Sequence, residues 1–210
     1  MKIISINVGL PQKIMWDGKE IETSIFKYPV SESVTIEKFN IIGDKQSDLK
    51  AHGGENKAIY GYSANHYEFW KKELPEVDFP FGIFGENLTV EDLDENEINI
   101  GDLFQLGTAQ IMAVQPRFPC YKLSARFKRS DMVKRFLESK LSGIYFKVIE
   151  EGKVSAGENL KLIKKDQNNI KISEITRVST TDKDDVEAIQ RIIDVKKLPE
   201  RLRQRLKEKL

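Results

Sequence analysis

Ahead of residue 164, apolar residues recur mainly at every second position, the period of a strand with one buried face. In residues 2–8, Ile4, Ile6 and Val8 alternate with Ser5 and Asn7, and Gly9-Leu10-Pro11 ends the run. Residues 16–25 predict a hairpin, because Asp17-Gly18 is a strong turn dipeptide between extended arms. Lys27-Tyr28-Pro29-Val30 is expected in a loop and residues 34–42 in a further strand. The apolar run over 109–114 and the segments 144–149 and 160–163 also read as strands. The period lengthens in two places. Tyr67, Trp70 and Leu74 share one face of a predicted helix over 64–74, with Ser63 as its cap. Val133, Phe136, Leu137 and Leu141 predict a second helix over 131–140, capped by Ser130, stopped by Gly143 and lying over the sheet.

Glycine punctuates this pattern. Gly85-Glu86-Asn87-Leu88 recurs as Gly157-Glu158-Asn159-Leu160, with the related Gly101-Asp102-Leu103-Phe104 between them, each ahead of a β-like run. Such spacing suggests tight corners in a β-barrel. Beyond the polar stretch 164–169 the period becomes helical, through Val186, Ile189, Ile192 and Ile193, then Leu198, Leu202, Leu206 and Leu210. Pro199 suits a first helical turn. The expected architecture is therefore mostly β (α+β): a barrel with covering helices over residues 1–164, then a small helical appendage over 165–210 whose many basic residues form a solvated face.

Composition narrows the partners. The chain has 210 residues, 40% hydrophobic and 32% charged, with 34 basic against 33 acidic side chains and a formal charge of +1. Nothing in that balance draws a nucleic-acid polymer. No apolar run approaches the roughly 20 residues that span a bilayer, and the amino-terminal segment is too short and polar for a signal peptide. The expectation is a cytoplasmic protein with no membrane partner, a monomer or homodimer.

Candidate chemistry gathers in Gln115-Pro116-Arg117-Phe118-Pro119-Cys120-Tyr121-Lys122-Leu123, which holds the only cysteine. Proline lacks a backbone N–H and fixes φ, so the chain should leave the sheet here and present the thiol in a stiff turn. Arg117, Lys122 and Arg126 favour thiolate, which is both nucleophile and soft-metal ligand; a cysteine that only packs is the alternative. A second polar stretch, 43–60, contains Gly53-Gly54, which lets backbone approach a ligand closely, beside His52 and Lys57 as donors for an anion. His66 is expected to cap or pack. Two histidines and one cysteine cannot build a structural zinc site.

Four segments, Thr23-Ser24-Ile25-Phe26-Lys27-Tyr28-Pro29-Val30, Gly43-Asp44 through His52-Gly53-Gly54 to Lys57-Ala58, Phe84-Gly85-Glu86-Asn87-Leu88, and the cysteine segment, stand in an order that resembles the MOSC family, named for the C-terminal domain of molybdenum-cofactor sulfurase. The similarity is to its stand-alone bacterial branch associated with resistance to 6-N-hydroxylaminopurine. The tail resembles the three-helix unit of that branch but lacks a tryptophan near its last helix.

The resemblance implies a barrel-like fold that binds the molybdenum cofactor, molybdopterin with molybdenum, through a cysteine thiolate, here Cys120. It makes Lys27, His52, Lys57, Arg117 and Lys122 candidates to hold the cofactor's phosphate or pterin ring, with Gly53 and Gly54 approaching by backbone. Asn87 would hydrogen-bond substrate or a metal oxo group and Glu86 relay protons, capping of the glycine corner being their alternative use. The implied reaction reduces an N-hydroxylated base or amine to the parent amine. Electrons would come from a partner reductase, since the sequence has neither a Gly-x-Gly-x-x-Gly fingerprint nor a cysteine set for an iron–sulfur cluster. A cofactor or sulfur carrier using Cys120 without turnover is the other reading.

Overall fold

The structure, a computed structural model, describes residues 1–47 and 53–210. The first strand, β1 (Ile3–Val8), departs from simple alternation, because Ser5 and Asn7 are buried as well as Ile3 and Ile6. Both faces of β1 are covered, and the polar one feeds a buried hydrogen-bond network described below. The predicted hairpin forms from β2 (Gln12–Trp16) and β3 (Lys19–Thr23), its turn carried by Asp17 and Gly18, both at positive φ. Tyr28–Val30, expected in a loop, is instead a short strand, β4, paired with β1. The single strand expected over 34–42 is two, β5 (Val34–Glu37) and β6 (Asn40–Ile41), folded back on each other.

A 3₁₀ turn (Glu55–Lys57) leads into β7 (Ile59–Ser63) and helix α1 (Ala64–Glu73). Ser63 stands at the N-cap of α1 as expected, but its hydroxyl makes no capping bond; Tyr67, Trp70 and Leu74 are buried as the periodicity requires. The chain continues through β8 (Leu88–Val90), β9 (Leu103–Leu106) and β10 (Ala109–Pro116). Two helices follow, α2 (Tyr121–Phe127), which no periodicity announced, and α3 (Met132–Ser139). Asp131, not Ser130, occupies the N-cap of α3, and Met132 and Phe136 are its buried residues. The barrel portion closes with β11 (Ile144–Glu150), β12 (Gly152–Val154) and β13 (Leu160–Lys164).

Eight strands form one sheet in the order β13-β9-β10-β11-β7-β8-β1-β4, antiparallel except for β7 and β8. The sheet curls enough to bring the start of β13 against the start of β1, the strand next to its far edge. Lys2 bridges Asn159, the Ile3 amide donates to the Glu158 carbonyl at 2.8 Å, and the Leu160 amide donates to the Met1 carbonyl at 2.9 Å. The glycine corners sit where predicted: Gly85, Gly101 and Gly157 all have positive φ, ahead of β8, β9 and β13.

Three helices complete the chain: α4 (Ile172–Thr180), α5 (Val186–Ile193) and α6 (Glu200–Lys207). Asp185 caps α5, its carboxylate accepting from the Ala188 amide at 3.0 Å. Ile172, Ile175, Ile189, Ile192, Leu202 and Leu206 belong to the same apolar cluster as Ile3, Phe104, Ile111 and Phe146 of the sheet. The helices therefore share the barrel's core rather than enclosing one of their own. A second, aromatic cluster, built around Tyr62, Trp70, Phe84, Phe127 and Phe136, fills the space between α1, α2, α3 and the sheet. Among the described residues, no helix is long and apolar enough to cross a membrane.

Candidate functional site

The cysteine segment leaves the sheet where its prolines require. Pro116 still pairs with Ile144, Arg117 to Pro119 cross the rim, and Cys120 stands at the N-cap position of α2, where its carbonyl accepts from the Leu123 amide at 2.9 Å. Gln115 Nε2 donates to the Asn56 carbonyl at 2.9 Å and fixes the segment against the 3₁₀ turn.

Arg117 is only 6% exposed and lies against the rings of Tyr60 and Phe136, 5.4 and 4.8 Å from their centroids. Burial works against its charge, but the phenols of Tyr60 and Tyr145 and the Cys120 sulfur outweigh burial and raise its pKa. Its Nη1 is buried with no hydrogen-bond partner among the described residues. A buried, charged donor left open is costly unless a ligand completes it. Lys122, 8% exposed, donates to Ser47 Oγ at 3.0 Å. Arg126, expected near the thiol, lies over Phe26, 4.6 Å from its centroid, and is not among the residues that line the recess.

On the facing side, Lys27 is ion-paired with Asp44, both buried. Desolvation lowers the Lys27 pKa against the opposing pull of Asp44. Asp44 also accepts from the Gly9 amide at 2.9 Å and from Asn87 Nδ2 at 2.9 Å. Asn87 spends its remaining capacity on the scaffold: Nδ2 donates to the Asn7 carbonyl at 3.3 Å, and Oδ1 accepts from the Tyr60 amide at 3.1 Å. Glu86 is fully buried one layer behind, accepting from Tyr67 Oη, from Thr89 Oγ1 at 2.9 Å, and from the Gly82 and Phe84 amides at 2.8 and 3.1 Å. Burial pushes its carboxyl up despite these donors.

These groups surround a recess of about 90 Å³ lined by Lys27, Asp44, Asn87, Arg117, Cys120 and Lys122, with Lys57 and the tyrosines 60 and 145 completing the wall. A larger cavity, about 650 Å³, shares Lys57, Phe118, Cys120, Lys122 and Tyr145 with it. Gly53 and Gly54 line this outer cavity rather than the recess, Gly54 at φ 92 ahead of the 3₁₀ turn. His52 lies outside the described residues. Of the remaining expected site residues, Glu86 alone stands off both cavities. Sequence reasoning gave no role to Ser24, Tyr60 or Tyr145, and did not single out Asp44, although it follows Gly43 inside one of the four motifs. Ser24 Oγ, on the recess wall, is buried and unpartnered among the described residues.

Among the described residues no three histidine, cysteine or carboxylate side chains converge to hold a metal. A metal held through Cys120 would find no second or third such ligand among the described residues, and a dithiolene cofactor supplies sulfur ligands of its own. The open donors of Arg117 and Ser24, with Lys27, Lys57 and Lys122 around them, suit an anionic, hydrogen-bonding group beside the sulfur. The residues present fit the molybdenum cofactor.

At the end of β10 the sheet thus places one half-buried cysteine on a cation-lined recess. The chain belongs to the MOSC domain family, whose model matches residues 48–161. It is 40% identical over 198 residues to the uncharacterized protein YflK of Bacillus subtilis (strain 168), spanning 94% of this chain and 89% of that one. It is 30% identical over 164 residues to a Gibberella moniliformis protein named reductase, covering 77% of this chain and 29% of that longer one. The crystal structure of YiiM from Geobacillus stearothermophilus superposes with a TM-score of 0.84 at 30% identity, covering 100% of this chain and 98% of that one.

Proposed function

We propose that this protein is a molybdenum-cofactor-dependent oxidoreductase that reduces N-hydroxylated bases or amines to the parent amine with electrons from a partner reductase. The observation that carries the proposal is the Cys120 sulfur on a recess whose deepest cation, Arg117, keeps a buried donor open. In this reading Cys120 ligates the metal. Lys27, Lys57, Arg117 and Lys122 hold the cofactor's phosphate and pterin ring, Gly53 and Gly54 approach it by backbone ahead of the 3₁₀ turn, and His52, outside the described residues, is a further donor. When bound, the cofactor supplies two electrons and an acceptor for the hydroxyl oxygen. The balance is N-hydroxylated amine plus two electrons and two protons giving amine and water. Lys27, buried against Asp44, holds a proton at Nζ on the recess wall. Asn87, on the recess wall, fixes Asp44, and Glu86, one layer behind, fixes the 82–86 turn through two backbone amides, so both act as positioning residues. Similarity to a protein named reductase agrees with the reaction class.

The test compares molybdenum and pterin content of wild-type and Cys120→Ala protein, purified without oxygen from a cofactor-competent host. Stoichiometric metal and pterin in the first, with metal lost from the second, is the expected result. Metal retained by the alanine variant would remove Cys120 from the site. A loaded wild type that hands its cofactor to an apo-acceptor, yet consumes no N-hydroxylated base with a chemical reductant, would make it a carrier instead.

A further inference from the structure

The outer cavity has a wall that the barrel does not supply. Pro199 at the N-cap of α6, with Glu200, Arg201 and Leu202 of its first turn and Arg205 of its last, lines the cavity together with the cysteine segment and Gly53-Gly54. Arg205 reaches over the Phe118 ring, 5.1 Å from its centroid, so the last helix is seated against a residue two positions before Cys120. Guanidinium on an aromatic face keeps its N–H edges available in the ring plane, and among the described residues Arg205 forms no ion pair.

Among the described residues that line the cavity, cations outnumber acids. Lys57, Lys122, Arg201 and Arg205 stand against Glu55 and Glu200. Both acids are engaged elsewhere: Glu55 with Lys147 at 3.0 Å and Glu200 with Arg203 at 3.0 Å, neither cation lining the cavity. Positive potential in a concave site selects anions. Phe118, Tyr121 and Tyr145 add aromatic faces to the same walls, and the 650 Å³ volume is within the range of about 300–1,000 Å³ typical of small-molecule sites. Neutral N-hydroxylated bases need flat faces but no arginines.

We propose that the outer cavity is a phosphate-ester subsite, so that the substrate taken to Cys120 is an N-hydroxylated base in its mononucleotide form, its phosphate held by Arg205 and Arg201 of the tail and its base against Phe118 and Tyr145. The inference rests on the reductase reading for the substrate's reactive group. The tail thereby becomes part of the binding site, and the solvated basic face expected from its sequence gains a function on one side.

A phosphate ester could belong to the substrate or to the cofactor's own tail, and the experiment separates them. Adenosine 5′-monophosphate and adenosine are titrated into the full-length purified protein by calorimetry, for wild type and for Arg201→Gln/Arg205→Gln. Wild type is expected to bind the monophosphate at least tenfold more tightly than the nucleoside, a preference that the double variant loses while its nucleoside affinity and its molybdenum and pterin content stay unchanged. Arg201→Lys/Arg205→Lys, which keeps the charges, should retain most of the preference and so excludes a folding defect. Equal affinities in wild type, or a preference that survives the glutamine variant, would overturn the subsite. Loss of pterin from the glutamine variant would assign the arginines to the cofactor's phosphate and overturn it equally. Binding needs no turnover: nucleotide preference in a protein that reduces nothing would sink the reductase reading alone, and reduction of free base without that preference would sink the subsite alone.

Discussion

Glu86 shows how far a side chain can stand from a cavity and still govern it. Its two oxygens accept from two hydroxyls and two backbone amides, and Asn87 beside it bonds to Asp44. Replacing it by glutamine leaves an amide N–H facing one of those backbone N–H groups, so Glu86→Gln should cost about 1–3 kcal/mol in urea unfolding. The pH dependence has a definite sign. A carboxyl whose native pKa is raised above its ordinary 4.5 adds stability that is fully present below pH 4.5 and is lost as pH rises through the native value. Wild-type unfolding free energy should therefore fall over that interval, and the glutamine variant, with no proton to lose, should lack this component of the slope; an unchanged slope would place the titration elsewhere. The cysteine segment was legible because prolines and cations announce themselves in composition. Asp44 was not singled out, since its meaning comes from Lys27, 17 residues away, and from burial that no local pattern encodes.

At the scale of elements, the longer strands and helices were legible because their periods extend over several side chains, whereas β4, with 3 residues, and α2, with 7 and under two turns, are too short to display one. Register is likewise invisible in a single strand. Tyr60 and Tyr145 share the recess because β7 and β11 pair them opposite each other. That pairing depends on Gly143, at φ +64, where a Cβ would stand 2.6 Å from the Gly61 carbonyl oxygen and 2.7 Å from Tyr60. Gly143→Ala should push β11 off β7, destabilise the fold by about 1–3 kcal/mol and reduce cofactor retention by moving Tyr145, measured by thermal unfolding and by pterin content. A variant as stable as wild type would show that the strand ends yield freely.

For the whole molecule, the division near residue 164 marks a change of period, not a break in the core. The Ile100 amide donates to the Ile170 carbonyl at 2.9 Å, the Ile172 amide to the Ile98 carbonyl at 3.0 Å, and Thr176 Oγ1 to Ser142 Oγ at 3.2 Å, so the linker is stitched to the barrel. A chain ending at residue 164 should lose several kcal/mol of burial and melt roughly 10 °C or more below the full protein; an unshifted transition would make the tail a separate folding unit. The composition of the tail could suggest helices and a basic face, but not that its last helix turns that face toward the cysteine.

The seating of Arg205 on Phe118 also ties two spaces of different origin together. The recess is made of residues no later than Tyr145, while the outer cavity needs Arg205. The two spaces meet along Lys57, Phe118, Cys120, Lys122 and Tyr145, so a molecule large enough to occupy both would touch the first 164 residues and the last helix at once.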